Sequence, residues 1–345
     1  MTDIQKTLHL AGKAVEMCLN GRPSLALRRF NAHRARLSPW DVARIDPQLR
    51  RVHRDAEFQG SRKPGVVTRI LRLKPPFFEQ EIARSPQTAW LFVHSHNGRY
   101  RQSAVQSMII GDEDTAAQTA LLQRCNDWVP QVREAAFDRL RTRAPQLSQT
   151  ALASLVVFAV ARVGIWQRGG AEALNILREC PLWLSALEEA LAKQTNGPLV
   201  HVLKRQIVES ALDHALNRLA RSARSPFVRS AATECVLNEQ VRWKSGYAKQ
   251  WVNKPLGISR RVPIFKERVL DIDPANCAAV VRSGARDASA MVRKKIADKF
   301  IRDGGKEFSD EVKLLSKDSA ASVRSRMEFF HRKYPSNMKK DKVND

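Results

Sequence analysis

One segment of the sequence, Val241 to Lys254 (VRWKSGYAKQWVNK), interleaves basic and aromatic side chains. Cationic side chains neutralise phosphates, and aromatic faces stack on bases or brace arginines. The segment therefore indicates contact with nucleic acid. In the alternative interpretation, Trp243, Tyr247 and Trp251, spaced four residues apart, form the buried stripe of an amphipathic helix. We favour the buried stripe for the aromatic side chains and ligand contact for the basic ones.

The remaining candidate constellations do not predict catalysis. The run GGK at 304–306 lacks the other residues of a phosphate-binding loop. His94 and His96 flank one residue, but no cysteine or carboxylate stands near them in sequence, so we expect capping or hydrogen bonding rather than metal binding. The acidic residues at 112–114 and 271–273 are expected to cap helices. The sequence thus predicts no catalytic residue, no metal site and no cofactor.

Five segments share a local pattern that is centred on an arginine. Each arginine follows Tyr or Val, lies three residues after a small residue or proline, and precedes an apolar residue by three positions. The intervals between them are 32, 96, 64 and 31 residues, close to multiples of 32. Internal periods of roughly 20–50 residues are typical of solenoids. The arginines are Arg101, Arg133, Arg229, Arg293 and Arg324.

The spacing places a sixth copy at Arg261, and degenerate copies near residues 165 and 197. Three copies carry an aspartate six residues before the arginine, and we expect it to cap backbone N–H groups where a helix opens. The arginine is expected to hydrogen-bond that aspartate, or helix-end carbonyls, of an adjacent repeat. We favour this stacking role over ligand contact for the five arginines. The three aspartates are Asp127, Asp287 and Asp318.

This pattern resembles the HEAT repeat, whose helix-pair junction carries an Asp…Val-Arg-x-x-Ala type of motif. The resemblance covers residues 90–335 and implies an all-α, right-handed solenoid of HEAT-like helix pairs with a concave binding surface, but no particular reaction. Residues 1–85 would form a basic N-terminal helical cap or arm, 86–335 the solenoid, and 336–345 a polar tail. Helices are expected at 4–19, 24–36, 147–163 and 307–315, with 151–163 as a buried core helix.

The chain carries a formal charge of +24 and has a pI near 10.5, which favours a polyanionic partner. Basic residues concentrate at 22–74 and 217–268, while 111–200 is nearly neutral. The five cysteines, widely spaced and odd in number, are typical of buried thiols in a reducing cytosol. No signal peptide or long apolar run is evident, so we expect a cytoplasmic protein without membrane insertion.

The sequence therefore predicts a non-catalytic protein that binds nucleic acid, DNA in particular, mainly through backbone phosphates. The alternative is a protein–protein adaptor in a complex with an acidic partner. A lesser alternative is a HEAT-like DNA glycosylase using Trp243, Trp251 and Asp271 or Asp273, although that family's motif is not matched. The candidate contact residues are Arg242, Trp243, Lys244, Lys249, Trp251, Lys254, Arg260, Arg261, Lys294 and Lys295, with a second patch of Arg28, Arg29, Arg50, Arg51, Arg62 and Lys63.

Overall fold

The structure, a computed structural model, describes residues 2–19, 25–62, 82 and 85–335. The chain forms two compact units, unit 1 (Met1–Leu187) and unit 2 (Glu188–Asp345). The described residues are mostly helical, as predicted, and contain one two-stranded sheet. The domain limits predicted at residues 85 and 335 stay a prediction, and the polar tail lies outside the described residues.

Unit 1 is built from helices of 7 to 24 residues. The helices expected at 4–19 and 24–36 are present, and the one expected at 147–163 is buried along nearly its whole length, because small and branched apolar residues cover all its faces. The helices are α1 (Asp3–Leu19), α2 (Leu25–Arg34), α3 (Pro39–Arg62), α4 (Pro86–Phe92), α5 (Gly98–Ser107), α6 (Thr115–Arg124), α7 (Pro130–Arg143), α8 (Gln149–Arg162) and α9 (Gly170–Arg178). A further helix, α10 (Trp183–Lys193), contains the unit boundary.

In unit 2, successive helices pack in pairs, α12 with α13, α14 with α15, and α16 with α17. Each helix also contacts its equivalent in the next pair, so that α12, α14 and α16 form one row and α13, α15 and α17 another. The helices are α11 (Leu199–Gln206), α12 (Asp213–Ser222), α13 (Pro226–Asn238), α14 (Pro274–Ala285), α15 (Ala290–Asp303), α16 (Ser309–Ser316) and α17 (Ala321–Lys333).

Local sequence signals set the helix ends. Ser148 accepts a hydrogen bond from the Ala151 N–H at the start of α8, and Asp114 accepts one from the Ala117 N–H at the start of α6. Proline occupies the first position of α7 and of α13, where its missing N–H leaves no donor unpaired. Gly304 ends α15 at φ 84°, a left-handed conformation that glycine adopts without steric cost.

The repeat arginines form ion pairs between successive repeats. Three of them donate Nε and Nη2 to both carboxylate oxygens of the aspartate of the next repeat, as expected from the sequence. In all five, Nη1 donates to the backbone carbonyl six residues earlier. Each of these arginine–aspartate pairs, named a rung, therefore fixes the turn before one helix against the turn of the following repeat. The pairs are Arg101–Asp127, Arg229–Asp287 and Arg293–Asp318, at 2.6–2.9 Å.

Each of these aspartates also caps its own turn. Asp127 accepts from the Val129 N–H at 3.0 Å, and Asp318 accepts from the Ala320 N–H at 2.7 Å. These N–H groups belong to the N-cap residues of α7 and α17, one position before the helix, so the predicted capping occurs at the edge of the helix. Hydrogen bonds from Arg293 lower the pKa of Asp318 and keep it ionised at neutral pH.

The prediction of a sixth repeat copy at Arg261 is wrong, because Arg261 lies in a β-strand. Arg229 and Asp287 are 58 residues apart in sequence, 32 more than the 26 that separate Arg101 from Asp127. The extra residues form an antiparallel hairpin of β1 (Gln240–Asn253) and β2 (Ile258–Val269), inserted between α13 and α14. Since the insertion is as long as one repeat period, spacing alone could not reveal it.

The five cysteines are free, and four of them are buried, which confirms the prediction of buried thiols for Cys18, Cys125, Cys180 and Cys277. Cys235 is partly accessible. None of the helices within the described ranges is both long enough and apolar enough to cross a bilayer. A cytoplasmic location stays a prediction.

Candidate nucleic-acid interface

The hairpin β1–β2 carries eight of the ten residues predicted as the main contact set. Its strands are rich in β-branched and aromatic residues, which favour extended backbone. The turn that joins them contains Pro255 and Gly257, and the Gly257 N–H donates to the Lys254 carbonyl at 3.1 Å. Gly257 adopts φ 68°, a left-handed conformation that favours glycine. Pro255 and Gly257 therefore set the tip of a long, tightly turned hairpin.

The base of the hairpin is anchored to the helices of unit 2. Val241 and Leu270 are 1% and 3% exposed, and the Leu270 N–H donates to the Glu239 carbonyl at 2.8 Å. Arg268 donates to both carboxylate oxygens of Asp213 on α12, at 2.7 and 2.8 Å. Because a two-stranded hairpin is marginally stable by itself in water, these contacts hold the arm on the helices.

The amphipathic helix considered for residues 241–254 is wrong, since the segment is a strand. Cross-strand partners lie on the same face of a sheet. By the register, Lys244 pairs with Phe265 and Lys249 with Arg261, and a bulge between Lys244 and Gly246 shifts the alternation by one residue. Tyr247 and Trp251 consequently share a face with these residues, whereas Trp243 lies on the opposite face.

The face that carries these pairs, named here the cationic face, consists of exposed side chains. Its members are Arg242, Lys244, Tyr247, Lys249, Trp251, Ser259, Arg261, Pro263, Phe265 and Glu267. The buried aromatic stripe that we favoured is therefore wrong for Tyr247 and Trp251, which are 56% and 45% exposed. Trp243, on the other face, is half-buried.

Each aromatic ring of the cationic face is covered by a cation. The Arg242 guanidinium lies 4.3 Å from the Phe265 ring centroid. Lys244 Nζ lies 3.5 Å from the ring centroid of Tyr247, and Lys249 Nζ lies 3.7 Å from that of Trp251. Such contacts are worth about 0.5–1 kcal/mol at exposed sites. The rings brace the cations along the strand.

The hairpin has a large excess of positive charge. Residues 240–269 contain eight Lys or Arg and one acidic residue, Glu267. Arg268 is neutralised by Asp213 at the base. The other seven cations form no ion pair with any residue that the structure describes, and all seven are exposed. They are Arg242, Lys244, Lys249, Lys254, Arg260, Arg261 and Lys266.

The other predicted contact residues lie on helices. Lys294 and Lys295 are half-buried on α15, and Lys295 Nζ forms an ion pair with Glu234 at 3.0 Å. Arg28 and Arg29 are exposed on α2 of unit 1. The structure therefore brings the hairpin residues together but assigns Arg28 and Arg29 to a different unit.

The rest of the second patch falls on α3 or outside the described part of the chain. Arg51 is exposed, whereas Arg50 is half-buried and forms ion pairs with Asp46 at 3.3 Å and Asp127 at 3.6 Å. The side chain of Arg62 and all of Lys63 lie outside the described residues.

Three exposed cationic or aromatic residues of the hairpin were absent from the predicted contact set: Tyr247, Phe265 and Lys266. The signal for Phe265 and Lys266 was present in the run ISRRVPIFKERV, which follows the Pro-Leu-Gly turn and alternates apolar with basic residues. Recognising that run as a strand would have paired it with residues 240–253.

The polar groups considered for metal binding have structural partners. His94 Nδ1 lies 2.7 Å from Asp46 Oδ1, and Asp273 accepts from the Ala275 N–H at the start of α14, as expected of a cap. No group of three potential ligands converges anywhere within the described ranges. The chain matches no protein-family model and no curated protein sequence.

Proposed function

We propose that the protein binds duplex DNA, without catalysing a reaction on it, by laying the hairpin β1–β2 along the phosphate backbone. The observation that carries this proposal is the set of seven exposed, unpaired cations on one anchored arm. Phosphates supply most of the affinity of proteins for DNA. A double helix carries one negative charge per ~1.7 Å of its axis, so an arm with spaced cations can contact several phosphates at once.

The size of the arm fits a duplex. At about 3.3 Å per residue, the 14 residues of β1 extend for roughly 45 Å, more than the ~34 Å of one turn of B-DNA. The major groove admits a two-stranded ribbon. The anchored base leaves the distal part of the hairpin, from Lys244 to Arg261, free to follow the groove and its flanking phosphates.

The braced aromatic rings favour a duplex over a single strand. Proteins that hold single strands stack bases on open aromatic faces. In the hairpin, the rings of Tyr247 and Trp251 each have a lysine ammonium over one face. We infer that these rings orient cations toward phosphates, and that binding depends little on sequence.

The proposed scaffold for this arm is a right-handed solenoid of HEAT-like repeats. It is supported by the paired helix rows of unit 2 and by the arginine–aspartate rungs that recur along the chain. In this proposal, the hairpin is an insertion that gives one repeat a binding role, while the repeat arginines stabilise the stacking of one repeat on the next.

The test is a fluorescence anisotropy titration with labelled duplex DNA across a salt series. Replacing Arg260 and Arg261 with Glu removes two phosphate contacts, so the slope of log K against log salt should fall by about 2 and the affinity by at least tenfold. The matched control replaces Lys306 and Lys317, two exposed lysines of unit 2 outside the hairpin, with Glu. If both variants lose the same DNA affinity, the loss results from the change in net charge alone, and the hairpin site is refuted.

A second candidate function, assembly with an acidic protein, is favoured by apolar side chains at the tip of the hairpin. Val252, Leu256 and Ile258 are 63%, 70% and 51% exposed. Exposed apolar groups amid cations suit a protein surface better than a phosphate backbone. If Leu256→Ser leaves DNA affinity unchanged but abolishes binding of an acidic peptide that contains leucines, the protein partner is the better assignment.

A further inference from the structure

Unit 1 contains a cleft with a volume of about 250 Å³. It is lined by two tryptophans and three arginines, among other residues. Trp128 is 61% exposed, and the Arg101 guanidinium lies 5.8 Å from its ring centroid. The aromatic and cationic residues of the cleft lining are Arg50, Arg124, Trp128, Trp166 and Arg168, and the site is named the unit-1 cleft.

The carboxylates of the cleft are already occupied by the protein. Asp127 accepts from Arg101 Nε and Nη2 at 2.8 and 2.7 Å, and from the Val129 N–H at 3.0 Å. Asp46 accepts from Arg124 Nη2 at 2.6 Å and lies 2.7 Å from His94 Nδ1. Both aspartates are buried and ionised, because the surrounding cations outweigh the effect of burial. Burial alone would raise the pKa of Asp46, but Arg124 and His94 lower it far below its usual range.

Positive charge exceeds negative charge around the cleft. Arg50, Arg124 and Arg168 line the cleft and Arg101 pairs with Asp127, whereas Asp46 and Asp127 are the two carboxylates of the lining. Burial lowers the pKa of His94, which leaves it neutral at pH 7. Burial, and next the nearby charge of Arg124, lower the pKa of Arg50, which indicates cations that are incompletely neutralised.

Donors of the cleft are left without partners. Arg124 is 1% exposed, and its buried Nε has no hydrogen-bond acceptor among the described residues. Arg168 is exposed and forms no ion pair within the described part of the chain, while Asn126 Oδ1 fixes its backbone N–H at 3.1 Å. A buried donor without an acceptor is costly, and an exposed guanidinium without a carboxylate carries an uncompensated charge, so Arg124 Nε and Arg168 make the cleft suited to an anion.

We infer that the unit-1 cleft binds a nucleoside phosphate, with the base against Trp128 or Trp166 and the phosphate against Arg50 and Arg168. The volume is suited to one small ligand, and aromatic rings beside arginines match a planar base that carries an anion. The ligand is a free nucleotide or the 5′-phosphorylated end of a strand. None of the residues that line this cleft belongs to the hairpin, since all of them lie within residues 46–168.

Isothermal titration calorimetry on the full chain with AMP, adenosine and inorganic phosphate tests this inference. AMP should bind at least tenfold more tightly than adenosine or phosphate, because both the ring and the anion contribute. Trp128→Ala and Arg168→Glu should each weaken AMP binding about tenfold. The control Arg178→Glu, which changes an exposed arginine of α9 outside the cleft, should leave it unchanged.

Several outcomes would overturn the assignment. One is a dissociation constant above about 1 mM for both AMP and a 5′-phosphorylated oligonucleotide, and another is phosphate binding as tight as AMP binding. Equal effects of Arg168→Glu and Arg178→Glu would also contradict it. If AMP fails but a 5′-phosphorylated oligonucleotide binds more tightly than its unphosphorylated form, with the same dependence on Trp128, the ligand is a strand end. Replacing Arg260 and Arg261 with Glu should not change AMP binding, which separates this site from the hairpin.

Discussion

Replacing Asp127 with Ala should strongly destabilise unit 1. Asp127 and Arg101 are both fully buried at their side chains, and the substitution removes the only carboxylate bonded to Arg101 among the described residues. Arg101 Nη1 keeps the carbonyls of Ser95 and His96, but Nε and Nη2 lose their acceptors. Breaking a buried ion pair by removing one partner costs about 3–5 kcal/mol.

Urea unfolding followed by tryptophan fluorescence measures this effect. Five of the seven tryptophans lie in unit 1, so the signal reports that unit. With an m-value of about 2–3 kcal/mol/M, the midpoint should fall by roughly 1 to 2.5 M. The matched control is Asp138→Ala, whose exposed ion pair with Arg141 is worth less than about 1 kcal/mol. A midpoint shift no larger than that of the control would refute the role assigned to the rung.

The same pair predicts a pH dependence. Burial would raise the pKa of Asp127, but the hydrogen bonds from Arg101 and the charge of Arg124 lower it below its ordinary value. A carboxyl group whose pKa is lower in the folded state stabilises the fold above its unfolded pKa of ~3.9, and loses that contribution as the pH falls toward the folded pKa. Wild type should therefore lose stability more steeply than Asp127→Ala between about pH 5 and pH 3.

Three further predictions concern packing, the thiols and the hairpin base. Gly169→Ala would bring its Cβ within 2.0 Å of the Cys125 carbonyl oxygen and should lower the urea midpoint, unlike Gly246→Ala, where nothing lies within 4 Å. Burial and Glu234 raise the pKa of Cys235 to about 11, so its alkylation at pH 8, followed by mass spectrometry, should be over a hundredfold slower than that of a free thiol. Asp213→Ala removes both bonds to Arg268 and should speed tryptic cleavage within residues 240–269; unchanged cleavage would contradict the anchoring.

The helical repeats were predictable because local signals and long-range contacts agree. A proline or small residue opens each helix, and an aspartate six residues before the arginine marks the turn that the preceding repeat contacts. The pairing of Arg293 with Asp318 follows from that register, since both positions recur with the same period. The helices at 3–19 and 149–162 were likewise evident from their composition.

The hairpin was not recognised because two features of its sequence are also typical of an amphipathic helix and of a further repeat. Trp243, Tyr247 and Trp251 have the four-residue spacing of a helix face, and this spacing does not reveal the bulge near Ser245 that places Trp243 on the opposite face of the hairpin. The insertion also matches the repeat period, which placed Arg261 where a repeat arginine was expected. The sequence run around Pro255 and Gly257 was the signal that distinguished a turn between strands.

The unit-1 cleft could not be predicted from the sequence, for a different reason. Its ion pairs join residues that are far apart in the chain, such as Asp46 with Arg124, 78 positions later. No local pattern predicts such contacts, because they depend on how α3 packs against α6. His94 was considered for metal binding only with nearby residues, whereas its partner Asp46 lies 48 positions earlier.

Site-specific photo-crosslinking tests the proposed interface most directly. A photoreactive phenylalanine analogue would replace Tyr247 on the cationic face, or Phe329 of α17, which is 48% exposed, as the control. Each protein would be irradiated with labelled duplex DNA at low salt. We predict an efficient crosslink from position 247 that is lost at high salt, and little from position 329. Equal crosslinking from both positions, or none from position 247 while the DNA is bound, would contradict the hairpin as the nucleic-acid interface.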